Sequence, residues 1–315
     1  MHQENLPLVT VICTSFNHES FIRECLNGFV LQKTTFPFEV IVHDDASTDS
    51  TQQIVKEYQS KHPRLFNNIY QTENQFTKKE VNIWIDIMFP KARGKYIAIC
   101  EGDDYWTDPY KLQKQVDFLE CNKEFILCTH NYSIHYENTN QINNKNKFDN
   151  SLEYSIDNYF EDHYTPTLTS CWRNIFTDYG VLQRGKYFSD YFLFFEILKH
   201  GKGFFMLDNM ATYRVHNQGV CSSLSEEQKI INHILMLQDL YTNNAYNLQV
   251  KKNLGRYNLI YFNFCIRIKK NKIPQMNYLW NYFKYEISAI NKLTVLFIKL
   301  PYYSVRYWLR NLVSF

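Results

Sequence analysis

The apolar positions of the chain switch repeatedly between continuous runs and helical spacing. LVTVIC (8–13) is a β-branched run bounded by Pro7 and the polar TSFNH, and it predicts a buried strand. Ile22, Cys25, Leu26, Phe29 and Val30 then recur at helical spacing, which predicts a helix over 19–31. FEVIVH (38–43) reads as the next strand, and DDASTDST after it supplies cap residues for a helix that Pro63 stops. A weaker strand at 66–71 and a helix over 80–89 lead to a strand at 95–100, introduced by Gly94. Pro109 opens a helix through about residue 120, and FILCTH (125–130) is a further strand.

Beyond this point the pattern is less regular. Residues 136–151 are Asn-rich and read as a structureless surface insertion. Residues 189–200 read as a helix ended by Gly201, and GFFMLD (203–208) as a last strand, with MATYRVHNQG as a loop after it. From about residue 225 the pattern is helical, and there is no internal repeat. Strands alternating with helices imply an α/β fold with a mainly parallel central sheet. The pattern divides the chain into an α/β domain over 1–222 and a helical extension over 223–315.

Ligands of such sheets bind beyond the carboxyl ends of the strands. Three of the strands are followed there by TSFN, HDDASTD and EGDD, all polar or acidic. Glu101, Asp103 and Asp104 place three acids within four residues at the end of a core strand, where like charges resist burial. A divalent cation would neutralise them, and Mn2+ or Mg2+ prefers such carboxylate oxygens. A solvated acidic turn capping the helix at Pro109 is the plainer alternative.

Composition narrows the setting. Aromatic residues make up 17% of the chain, with 24 Tyr and 24 Phe, ample for a core. Eight cysteines form no CxxC pair and sit mostly in apolar runs, which favours free thiols over disulfides or zinc. The first ten residues lack a charged segment followed by an apolar one, and no apolar stretch reaches 18 residues. Neither a signal peptide nor a membrane span is predicted. The net charge of +2 hides an asymmetry: residues 251–315 hold 12 Lys/Arg against one acid, Glu286. Beyond Pro301, Val305, Trp308, Leu309, Leu312 and Val313 share one helical face and Arg306, Arg310 and Ser314 another. Preceded by KLTVLFIKL, this tail suits an anionic membrane surface, with packing as a helical subdomain the alternative. Nucleic acid is not expected as a partner, because the tail is apolar and the remainder acidic.

In their order and spacing, VTVICTSFN, VIVHDDASTDST, GKYIAICEGDDYW, SDYFLFFEIL and ATYRVH resemble the family 2 glycosyltransferases over residues 7–219. These are inverting enzymes with the GT-A nucleotide-sugar fold. The resemblance implies that Thr14, Phe16 and Asn17 form a loop that holds the nucleotide base, with Phe16 stacked on it. It places Asp45 on the N3–H of uracil, with Asp44 supporting the loop. It places Asp103 near the donor ribose, Asp104 on the metal and Glu101 in support. Asp190 becomes the general base that deprotonates the acceptor hydroxyl. His216 completes the metal site or binds a diphosphate oxygen, and Arg214 neutralises phosphate or pairs with an acid. Lys78 and Lys79 fall where some relatives place a basic donor contact, and read here as solvated surface.

Each of these residues also has an ordinary reading. Phe16 can turn into the core, Ser47, Thr48 and Asp49 can cap a helix, and Asp190 or Ser189 can cap another. Trp172 in TPTLTSCWRN reads as a core residue before a sugar platform. No glycine-rich phosphate loop is present, so metal and side chains must handle the diphosphate. The QxxRW motif of processive relatives is also missing, which favours transfer of a single sugar. The expectation is a cytoplasmic enzyme, peripheral on the inner face of the membrane. It would take a nucleotide-sugar donor, UDP-linked by preference, and a lipid-linked or saccharide acceptor. The alternative is a catalytically silent scaffold subunit of the same fold.

Overall fold

A computed structural model describes residues 6–78, 80–145, 148–160, 165–176, 178–184, 189–219, 224–243 and 248–268, with Tyr278, Asn281 and Tyr285. The apolar run at 292–300, the amphipathic segment after Pro301, Lys79 and Cys221 lie outside them. The chain divides into two compact units, one of Met1–Arg184 with Asp190–Gly219, the other of Gly185–Ser189 with Val220–Phe315.

The first unit is an α/β sheet. In chain order its strands are β1 (Val9–Ser15), β2 (Phe38–Asp44), β3 (Ile69–Tyr70), β4 (Tyr96–Ile99) and β5 (Tyr105–Trp106). They continue as β6 (Phe125–Tyr136), β7 (Gln141–Lys145), β8 (Leu152–Tyr154), β9 (Cys171–Arg173) and β10 (Lys202–Val215). The order across the sheet is β3-β2-β1-β4-β9-β6-β10-β5, with β7 on β6 and β8 on β10. β3, β2, β1 and β4 are mutually parallel, as are β6 and β10, and the antiparallel β9 joins the two groups. This is the GT-A arrangement, with antiparallel pairs added by β5, β7, β8 and β9.

Helices α1 (Ile22–Val30), α2 (Thr51–Lys61), α3 (Lys111–Cys121) and α4 (Asp190–Leu198) follow the predicted periodicities. α1 starts three residues late because His18 to Phe21 form a turn, Phe21 N–H donating to the His18 carbonyl. The predicted helix at 80–89 is a π-helical turn, Ile83–Met88, followed by a short 3-10 turn at Phe89–Lys91. Asn82 caps it by accepting the amides of Trp84 and Ile85, and Pro90 prevents a regular helix from continuing.

Two expectations are corrected. The segment 136–151 is not structureless, because β7 pairs with the end of β6 and Ser133 Oγ donates to Asn144 Oδ1. The last strand does not end at 208 but runs to Val215, so Arg214 lies on a strand and not on a loop. The polar pair Asp208 and Asn209 breaks the apolar run without breaking the strand. Register shifts on either side of Asn209 absorb it, and its amide donates to Ser133 Oγ.

The core forms where β1, β2 and β4 meet α1 and α3. Seven described cysteines are free thiols, six of them buried, as the composition implied. An unexpected core member is Lys111, which is 0% exposed. Its Nζ lies 4.1 Å from the Trp106 ring centre and donates to Gln115 Oε1 at 2.8 Å. Burial pushes its pKa down to about 8. A lowered lysine pKa means that the unfolded chain holds the proton more tightly, so stability rises between about pH 8 and the ordinary lysine value. In denaturant melts, wild type should gain about 2 kcal/mol on Lys111→Met between pH 7 and pH 10. An unchanged gap would contradict a buried, titrating lysine.

In the second unit, α5 (Glu226–Asn243) and α6 (Leu248–Ile268) pack as a pair. The rings of His233 and Tyr257 stack with centres 4.0 Å apart, and Tyr261 donates to Glu227. Among the described residues no helix is long and apolar enough to cross a membrane.

Candidate active site

The polar segments after β1, β2 and β4 meet at one edge of the sheet, because these strands are parallel and in register. Thr14 belongs to β1 itself and not to the loop, and its carbonyl accepts the amide of Gly102 at 2.9 Å. That bond ties the EGDD turn to β1. Asn17 has a left-handed backbone, with φ 54°. Its Oδ1 accepts the Thr48 amide at 2.8 Å, and its own amide donates to Ser47 Oγ at 3.0 Å. The His18 amide donates to Thr51 Oγ1, and that of Glu19 to Asp49 Oδ2. Ser47 and Thr48, expected as helix caps, therefore lace the two loops together. Asp49 keeps part of the cap role by accepting the amide of Thr51. Phe16 is 42% exposed, so it is not a core residue.

Asp45 is buried, and its two carboxylate oxygens accept the amides of Gln75 and Phe76 at 2.7 and 3.0 Å. It thus clamps the segment after β3 over the edge, leaving each oxygen one further acceptor site. Asp44 is 0% exposed and accepts from the Ser47 amide and from Gln52 Nε2.

The EGDD turn separates its acids. Asp103 Oδ2 lies 3.0 Å from His216 Nε2 and 3.8 Å from His18 Nε2. Burial works to raise its pKa, but the hydrogen bond from His216 and the nearby imidazoles hold it below the usual carboxylate range. Asp104 is buried, and its Oδ1 accepts the Arg214 amide at 2.7 Å. Burial, followed by the charges of Asp103 and Glu101, pushes Asp104 well above the usual range. Glu101 accepts from Thr167 Oγ1 at 2.9 Å, and burial with the Asp103 charge pushes it up to about 7.

Arg214 is 6% exposed and faces these acids from β10. Its Nε donates to the Asp103 carbonyl at 2.8 Å, and its terminal nitrogens pair with Glu24 and Glu137. Phe21 and Tyr105 cover the guanidinium, each ring centre 5.0 Å away. Of the two roles sequence offered for Arg214, pairing with acids is the one the geometry displays. Glu24 and Glu137 carry no signal in the sequence, because they lie in segments outside the acidic motifs. His18 carried a legible signal, since it ends the polar run TSFNH after the first strand.

Asp190 is the first residue of α4, and its Oδ1 accepts the Tyr191 amide at 2.9 Å. Burial pushes it up to about 6, and its charge acts on both Glu101 and Tyr159. From the start of α4 its charge thus reaches the EGDD turn. Trp172 is 1% exposed and lies in the core with Phe89 and Phe194.

The donor atoms suit a hard divalent cation. Among the described residues no three His, Cys, Asp or Glu side chains are already grouped as a metal site. Mn2+ and Mg2+ need only one or two protein ligands when phosphates supply the rest, which fits the pair Asp103 and His216.

Known proteins resemble this chain in sequence over part of its length and in fold. The uncharacterized protein Rv1520 of Mycobacterium tuberculosis is 33% identical over 225 residues, covering 70% of this chain and 62% of that protein. The chain thus spans less than two thirds of its mycobacterial relatives. TuaG of Bacillus subtilis, a glycosyltransferase named for teichuronic acid biosynthesis, is 33% identical over 36% of this chain and 42% of its own. Among solved structures, S. aureus TarS in complex with UDP-GlcNAc has TM-score 0.58 at 18% identity, covering 88% of this chain and 79% of that one. The mannosyltransferase PcManGT of Pyrobaculum calidifontis, with GDP-Man and Mn2+, has TM-score 0.52 at 14% identity, covering 98% and 88%. At these identities the structures speak for the fold alone. Residues 10–180, more than half of the sequence, match Glycosyl transferase family 2, and the chain belongs to that family.

Proposed function

We propose that the chain is an inverting glycosyltransferase. It moves one sugar from a nucleotide-diphosphate donor, UDP-linked by preference, to a hydroxyl of a glycolipid or growing polysaccharide. The observation that carries this reading is the Asp103 and His216 pair at the sheet edge, beside two laced loops that can seat a nucleotide. The ligands held by TarS and PcManGT, and the naming of TuaG, support the donor class and a role in surface polysaccharide assembly.

Asp103 and His216 would hold Mn2+ or Mg2+, which when bound offsets the charge that develops on the departing diphosphate. Asp104 becomes the buried support of the turn, the reverse of the order implied by resemblance. Arg214 serves the same support. Phe16 stacks on the base and Asp45 meets its edge, next to the segment it clamps. Asp190 accepts the proton of the acceptor hydroxyl as that oxygen bonds to C1. The bond from C1 to the phosphate oxygen breaks on the opposite face, and its electron pair leaves with the diphosphate. The basic tail places the enzyme on the inner face of the cytoplasmic membrane.

A screen of nucleotide sugars for Mn2+-dependent hydrolysis by the whole chain tests this. One donor class should be cleaved and lost on adding EDTA. Binding of a nucleotide sugar with no turnover under any condition would favour the silent scaffold.

A further inference from the structure

We propose that His18 is a positioning residue for the cation site, the donor that takes over the Asp103 carboxylate when His216 turns to the metal. This rests on the reading of Asp103 and His216 as metal ligands.

His216 Nε2 occupies Asp103 Oδ2 at 3.0 Å, a hydrogen bond that uses the Nε2 proton. A ligating imidazole must present a lone pair there instead, so metal binding removes that donor from Asp103. The replacement is close at hand. His18 Nε2 lies 3.8 Å from the same oxygen, just beyond hydrogen-bond range. Its Nδ1 is buried without a hydrogen-bond partner. A proton on Nδ1 would leave a buried N–H unsatisfied, so the neutral ring carries its proton on Nε2, toward Asp103.

The surroundings hold the ring in this place. The His18 amide is fixed by Thr51 Oγ1 at 2.8 Å. Gly102 of the EGDD turn packs against the ring, where a Cβ would come within 2.9 Å of His18 Nδ1 and Ile22 Cδ1 and 3.0 Å of Ser15 Cβ. The glycine therefore lets the turn pack closely on the ring, as on Ile22 and Ser15. Hydrogen bonds to ligating carboxylates of this kind typically set metal affinity within about 10–100-fold.

The test is titration of MnCl2 into the whole chain saturated with UDP, with free Mn2+ read by electron paramagnetic resonance. His18→Ala should weaken Mn2+ about 10–100-fold while UDP affinity in EDTA stays as in wild type. His18→Gln, which keeps an N–H donor, should recover part of the loss. Gly102→Ala, which displaces the ring, should reproduce it. Unchanged Mn2+ affinity in His18→Ala would overturn the proposal, as would a loss of UDP binding in EDTA equal to the loss of Mn2+ binding. If wild type itself fails to take up Mn2+, the metal reading of the site falls first.

Discussion

Asp190→Asn should lower the transfer rate about 10²–10⁴-fold, and should raise the melting temperature at pH 8. The two effects share one cause. Burial at the start of α4 lifts this carboxyl to about 6, high enough to accept a proton and low enough to be ionised at neutral pH. A raised carboxylate pKa means that folding favours the protonated form. The stability it contributes is complete below the ordinary Asp pKa and lost as pH rises through about 6. The asparagine variant avoids that loss, so its melting temperature should exceed that of wild type by a few degrees at pH 8 and by nothing at pH 4. Wild-type transfer should fall about tenfold per unit on the acid side of pH 6. Scanning calorimetry and a pH–rate profile check the two limbs. A less stable variant at pH 8 would make Asp190 chiefly a helix cap, and near-normal transfer would remove it from the reaction.

Asp103→Asn should be the other severe loss, of about 100-fold or more in Mn2+-dependent nucleotide affinity, with transfer falling in step. Asp103 stands at the edge between two imidazoles, whereas Asp104 accepts the Arg214 amide from a buried position. Asn at 104 keeps a carbonyl oxygen for that amide and removes a carboxyl that burial already disfavours. Asp104→Asn should therefore fold and retain Mn2+-dependent binding within about tenfold. Isothermal titration of UDP with MnCl2 on both variants separates the roles. Retained binding in Asp103→Asn with loss in Asp104→Asn would restore the opposite assignment.

The difference between these two aspartates marks where sequence stopped being informative. The positions of β1, β2, β4 and α1 to α4 follow from apolar period, because each buries a regular face. The convergence of TSFN, HDDASTD and EGDD follows from parallel topology alone. Which of two adjacent acids faces the edge depends on turn geometry, fixed by Gly102 on Thr14 and by β10 alongside, and neither is local. The extent of β10 was hidden for a related reason. Its polar residues are satisfied by partners on neighbouring elements, Asn209 by Ser133 of β6 and Asp208 by Lys114 of α3, so a strand persists where the apolar pattern stops. Arg214 shows the same limit, since its acid partners Glu24 and Glu137 come from α1 and from the turn after β6. Lys111 reads as a solvated helix residue until the fold closes over it.

On the proposed reading, this sheet edge binds a nucleotide diphosphate through a divalent cation held by Asp103 and His216. Calorimetric titration of UDP into the wild-type chain, once in MnCl2 and once in EDTA, tests it most directly. The expected result is one site per chain and affinity at least about tenfold tighter with Mn2+, a difference of about 1.4 kcal/mol or more. Equal affinity in the two buffers, or no binding in either, would contradict it.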